Sequence, residues 1–123
     1  MTETSLILAV DHNRRNLELL GQFLGKEGFQ LRTASSIEEF DAAVSRAESI
    51  EFALMDIAGF DRRIWDRCEQ LRERKIPFLL LSSRQSAAIQ QMSVSRGALG
   101  VLVKPLVVRD LIGLIRNLLE EGG

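Results

Sequence analysis

Four short apolar runs in this chain are continuous rather than alternating, and each stops at a polar residue. Leu6–Val10 runs into Asp11, residues 52–55 into Asp56, residues 78–81 into Ser82, and Val101–Val103 into Lys104-Pro105. A strand covered on one face alternates apolar and polar residues, whereas a buried parallel strand is apolar throughout. The runs therefore constrain the chain to a parallel sheet covered on both faces. Ligand sites in such open sheets lie just beyond the carboxyl ends of the strands. Two carboxylates, a hydroxyl and an ammonium are thus expected around one crevice. His12 stands beside Asp11 where a third carboxylate would be expected.

Helix-like segments separate the strands. The first strand, 5–10, leads to a helix over 14–26 with Asn13 as N-cap, Gly28 past its end, and Leu17, Leu20, Phe23 and Leu24 on one face. Residues 30–34 read as a second strand nearer an edge. Ser36 caps a helix over 37–47, with Glu39 completing a capping box. After the strand at 52–56, Asp61 caps a helix over 62–73 that Lys75-Ile76-Pro77 terminates. The fourth strand, 78–82, precedes a helix over 86–96 ended by Gly97. The fifth strand spans 100–103, and the last helix, 107–119, buries Leu111, Ile115 and Leu118. Five β–α alternations predict a doubly wound α/β domain with right-handed crossovers.

Residues 1–123 fit one domain with no linker, repeat or low-complexity tract, and the apolar share of 46% supports a core. A net charge of -1 argues against a nucleic-acid surface. Of the basic residues 13 are Arg and three are Lys, so a lysine at a strand end stands out. The one cysteine, Cys68, excludes an internal disulfide and reads as a packed thiol. No secretory signal opens the chain and no apolar stretch approaches the roughly 20 residues that cross a bilayer. The expected location is the cytoplasm.

Two carboxylates a few ångströms apart repel by roughly 4 kcal/mol at an effective dielectric near 20. Lys104 can offset part of that, and a hard divalent ion on oxygen ligands the rest. With a phosphoryl donor, one carboxylate can act as nucleophile, while Lys104 and a Ser82 hydrogen bond stabilise the phosphoryl oxygens.

With these residues in place, the chain resembles the CheY-like receiver domain of two-component response regulators. Phe52-Ala53-Leu54-Met55-Asp56 looks like the family's phosphoacceptor strand. Ile76-Pro77-Phe78-Leu79-Leu80-Leu81-Ser82-Ser83 looks like its Ser/Thr strand, and Gly97-Ala98-Leu99-Gly100-Val101-Leu102-Val103-Lys104-Pro105 like its Lys-Pro segment. The resemblance implies a (βα)5 flavodoxin-like fold with strand order 2-1-3-4-5. It implies Asp56 as phosphoacceptor for a histidine kinase, phosphotransfer protein or small donor. Asp11, Asp56 and the Ala58 backbone carbonyl would hold Mg²⁺, with Ser82 turning toward the phosphoryl group and Lys104 contacting it. The bond before Pro105 would be cis.

Three departures stand against this pattern. His12 replaces an acidic residue; imidazole suits softer ions than Mg²⁺, so binding is expected to weaken, with Mn²⁺ as the alternative ion. His12 itself reads as a rim residue rather than a ligand. The loop Ile57-Ala58-Gly59-Phe60-Asp61 is short and lacks proline, and Val101 replaces the usual aromatic. Two functions stay open: a phosphoacceptor receiver signalling through the face of its fourth and fifth helices, and a phosphate-independent pseudo-receiver that binds proteins. A flavodoxin-type cofactor binder is disfavoured because no phosphate-cradling loop follows the first strand. Neither reading makes the domain an enzyme beyond promoting its own phosphorylation and dephosphorylation. Output is expected to pass through another protein or a weak homodimer, without direct nucleic-acid or membrane contact.

Overall fold

A computed structural model describes residues 5–45, 49–84 and 86–122. Five parallel strands, β1 (Leu6–Val10), β2 (Gln30–Ala34), β3 (Phe52–Asp56), β4 (Phe78–Ser82) and β5 (Val101–Val103), form one sheet in the order β2-β1-β3-β4-β5. Five helices alternate with them: α1 (Arg14–Lys26), α2 (Ile37–Val44), α3 (Arg63–Glu73), α4 (Ala87–Ser95) and α5 (Val108–Gly122). This is the flavodoxin-like α/β architecture expected from the continuous apolar runs.

The period-two pleat divides each inner strand between two cores. Leu6, Leu8 and Val10, Ala53 and Met55, and Phe78 and Leu80 pack under Ile37, Phe40, Ile64, Cys68 and Leu71 of α2 and α3. Ile7, Phe52, Leu54, Leu79 and Leu81 face the other way, onto Leu24, Leu111 and Ile115 of α1 and α5. Phe40, Phe52 and Phe78 are completely enclosed, and each such ring contributes about 2–3 kcal/mol of burial. β1, and β3 and β4 up to their last residues Asp56 and Ser82, are apolar because both of their faces are covered.

Caps set where the helices begin. Asn13 accepts from the N–H groups of Arg15 and Asn16 at 2.9 and 3.3 Å, and Ser86 Oγ accepts from Ile89 N at 3.3 Å. Ser36 Oγ accepts from Glu39 N at 3.1 Å. Glu39 reaches one residue further back than a capping box requires, taking the Ser35 N–H at 2.8 Å. Asp61 does engage the start of α3, accepting from Arg63 N at 2.9 Å, but Arg62 is already helical in backbone and the helix is counted from Arg63. Residues 46–47 of the expected second helix lie outside the described residues.

Two sequence expectations shift in detail. Leu17 and Leu24 of α1 are buried, but Phe23 remains 44% exposed, with Leu19 beside it at 40%. The bounds of the C-terminal elements also move: β5 starts at Val101 rather than 100, and α5 runs Val108–Gly122 rather than 107–119.

Candidate functional site

Strand register builds the site. Val10 pairs with Met55, so Asp11 leaves β1 beside Asp56. Asp56 pairs with Leu81 and Ser82 with Val103, which carries Ser82 and then Lys104 onto the same carboxyl-end rim. A backbone bond from Lys104 N to Ser82 O, 2.8 Å, fixes the last step, and the Lys104–Pro105 peptide is cis.

Asp56 is the deepest of these groups, with its side chain 2% exposed. Its Oδ1 accepts from Ala58 N at 3.0 Å. Its Oδ2 is in charge contact with the Lys104 ammonium, outside directed hydrogen-bond geometry, and no hydrogen-bond donor among the described residues engages it. The same ammonium lies 3.7 Å from Asp11 Oδ2. Asp11 is tied to the start of α1: Asn13 N donates to its Oδ1 at 2.9 Å and Asn16 Nδ2 to its Oδ2 at 3.2 Å. Asn16 was not foreseen. Its position five residues past Asp11, in the first turn of the following helix, is the signal that could have found it.

Ser82 is buried, and both halves of its hydroxyl are engaged by one residue. Oγ donates to Arg84 O at 2.9 Å and accepts from Arg84 N at 3.1 Å. A small pocket of about 200 Å³ beside it is lined by Ile57, Ala58, Ser83 and Ile89, among others. The hydroxyl has room to turn, but turning breaks the local pair. Arg84 thus acts on the site through its backbone.

His12 does not join the carboxylates. Its ring meets Phe60 edge to face, centroids 5.9 Å apart at 78°. Ring atoms also lie 3.1 Å from where a Cβ on Gly59 would stand, at a backbone φ of +82° that favours glycine. Gly59 and Phe60, as partners of His12, were invisible in the sequence because nothing local links positions 12 and 60.

Two carboxylates, one of them with an oxygen that meets only an ammonium, offer an oxygen set that the Ala58 backbone carbonyl would extend. Such a set suits a hard divalent ion that keeps several waters. Among the described residues no group of three or more His, Cys, Asp and Glu could hold a metal. The residues present fit Mg²⁺ with a sparse anionic shell, and do not fit a nitrogen- or sulfur-ligated ion. Asp11, Asp56 and the Ala58 carbonyl are the groups that could hold it.

A groove of about 540 Å³ runs from Asp11 and Lys104 between α1 and the start of α5, lined by Leu19, Phe23, Pro105 and Leu106. Val94, Leu99, Val103 and Val107, in and around β5, are exposed. Cys68 is fully buried, and desolvation pushes its thiol up to about 12, so it offers no reactive thiolate.

Comparison with known proteins gives the class. The sequence matches the response regulator receiver domain family over residues 7–116. It is 32% identical over 119 residues to the transcriptional regulatory protein GltR of Pseudomonas aeruginosa, covering 94% of this chain and 49% of that protein. It is 29% identical over 122 residues to the sensory transduction protein RegX3 of Mycobacterium tuberculosis, covering 95% and 52%. Its fold is similar to a CheY-like receiver domain protein from Methanospirillum hungatei, with TM-score 0.87, 26% identity, and 97% and 96% of the two chains covered. The chain belongs to the response regulator receiver domain family of two-component systems. It spans about half the length of these curated relatives. The domain is thus a signalling domain and not an enzyme of the ordinary kind, and no helix among the described residues is long and apolar enough to cross a membrane.

Proposed function

We propose that residues 1–123 act as one receiver that takes a phosphoryl group on Asp56, from a phosphohistidine of a kinase or phosphotransfer protein or from a small acyl phosphate. The observation that carries this is the pairing of a 2% exposed Asp56 with Lys104 at the sheet rim, the ammonium also 3.7 Å from Asp11. A buried carboxylate with a charged partner in a crevice is a functional candidate on physical grounds.

In the transfer step an Asp56 oxygen attacks phosphorus and the bond to the donor's nitrogen or oxygen breaks. The electron pair leaves with the donor atom, which takes a proton from water when it is a histidine nitrogen. Lys104 opposes the charge on the phosphoryl oxygens, and Asn13 and Asn16 hold Asp11 in place beside them. Ser82 donates to the phosphoryl group once it leaves the Arg84 carbonyl. A divalent ion held by Asp11, Asp56 and Ala58 supplies further neutralisation of the phosphoryl oxygens when bound. Mg²⁺ is the expected ion and Mn²⁺ the comparator.

Movement of Ser82 and its Arg84 turn bears on the start of α4, since Ser82, Arg84 and Ile89 line one pocket. The face of α4 and α5, with exposed Val94 on α4 and exposed Leu99, Val103 and Val107 in the β5 segment that connects the two helices, is the surface offered to a downstream partner in the cytoplasm. A phosphate-independent interaction module is the competing reading. It is favoured by the Ser82 hydroxyl being already satisfied by Arg84 and by His12 being seated on Phe60.

The two readings separate on treatment with beryllofluoride and Mg²⁺, followed by amide NMR. The receiver reading expects shifts at Ser82, Arg84 and the start of α4 that Asp56→Asn abolishes. An unchanged spectrum at millimolar Mg²⁺ supports the module reading.

A further inference from the structure

His12 occupies a position whose neighbours are all about charge, yet its contacts are all about packing. Asp11 immediately before it is fixed by its backbone N–H on Ala34 O, 3.1 Å, and by its carboxylate on Asn13 and Asn16. His12 is therefore launched from a rigid strand end. Its side chain covers Gly59, with the ring atoms Cδ2 and Cγ at 3.1 Å and the methylene Cβ at 3.2 Å from an ideal Cβ there. The same ring meets Phe60 edge to face at 5.9 Å.

Phe60 is half-buried against the core that contains Ile64 and Met55, so the contact leads from the rim into the interior. Between Phe60 and the strand lies Ala58, whose N–H donates to Asp56 Oδ1 at 3.0 Å. Beyond that bond the turn is closed by Phe60 N on Ile57 O at a long 3.3 Å. A short loop held by the Ala58–Asp56 bond, one long backbone bond and a left-handed glycine gains order from a contact outside it.

We propose that His12 is a positioning residue: its ring clamps the β3–α3 loop and so keeps the Ala58 N–H on Asp56. An acidic side chain at position 12 has no ring face to lay on Gly59 and no edge to present to Phe60. The residue has thus exchanged a contribution to charge for a contribution to loop order. The clamp is a property of the free protein; its bearing on phosphoryl acceptance rests on the function proposed above.

The test uses the whole chain, metal-free and unphosphorylated, as wild type, His12→Ala and His12→Phe. His12 is exposed, and unchanged far-UV circular dichroism checks that the variants fold. Amide hydrogen exchange at Ala58 and Gly59 is the readout. His12→Ala is expected to speed exchange there roughly three- to tenfold, the range an aromatic pair supports, while His12→Phe keeps the wild-type rate. Unchanged exchange in His12→Ala overturns the clamp, as does equal acceleration in His12→Phe, which would assign the role to a ring nitrogen. Intact mass after acetyl phosphate with Mg²⁺ is read in parallel. No adduct in any of the three proteins, with the exchange pattern kept, defeats the phosphoacceptor reading and leaves the clamp standing.

Discussion

The Lys104 ammonium stands 3.7 Å from Asp11 Oδ2 while contacting Asp56, so one cation answers two carboxylates. With Lys104→Met the two anions face each other uncompensated at the rim. Lys104 is 29% exposed, so the cost is below that of a fully buried pair and is expected to be about 1–2 kcal/mol at neutral pH. Urea unfolding measures it. Part of the loss should return with millimolar Mg²⁺, which replaces the missing charge. A variant as stable as wild type would show that the ammonium contributes nothing net.

His12→Asp sets a third carboxylate beside Asp11 and removes the ring from Gly59. Added negative charge next to the oxygen set should tighten Mg²⁺ binding by about tenfold, ~1.4 kcal/mol. Calorimetric titration with Mg²⁺ and Mn²⁺ checks this. Weaker binding in the variant would mean that loop order outweighs charge in holding the ion.

Glu39 links the chain's stability to pH. Its carboxyl is held below the ordinary 4.5 chiefly by the Ser35 backbone N–H, with Arg14 and the Ser35 hydroxyl adding to it. A lowered folded pKa means that the contribution is complete above the unfolded value and is lost as pH falls through the folded one. The side chain is 39% exposed, so the effect is modest, about 0.5–1 kcal/mol. Thermal unfolding between pH 7 and pH 3 should show Glu39→Gln less stable at neutral pH and closer to wild type in acid. Parallel curves across that range would contradict the assignment.

Lys75 ends α3 with φ at +61°, the one non-glycine residue in that region among those described. Its N–H bonds Arg72 O at 3.0 Å and the next N–H bonds Leu71 O at 2.9 Å, a closing pattern that glycine favours. Lys75→Gly should stabilise the protein by about 0.5–1 kcal/mol, the left-handed strain relieved less the added freedom of the unfolded chain. Urea midpoints measure this, and a destabilised variant would contradict it.

The sheet was legible because its signal is local: β1, and β3 and β4 up to their polar last residues, carry unbroken apolar runs, the pattern of a doubly covered strand. The strand-end residues were legible for the same reason, since register follows once the strands are aligned. Side-chain direction was not legible. Whether His12 faces Asp11 or Phe60 depends on a contact across 48 positions, and no local pattern encodes it. Phe23 shares helical spacing with Leu17 and Leu24, yet the buried stripe of α1 is narrow and leaves its ring outside. The Ser82–Arg84 pair is local, but a serine at a strand end serves a turn or a ligand equally well by spacing alone.

The central claim is that Asp56 accepts phosphate. Intact-mass analysis after incubation with acetyl phosphate and millimolar Mg²⁺, for wild type and Asp56→Asn, tests it most directly. The account predicts a gain of one phosphoryl group in wild type, absent from Asp56→Asn. No gain in wild type, or an equal gain in both proteins, would contradict it.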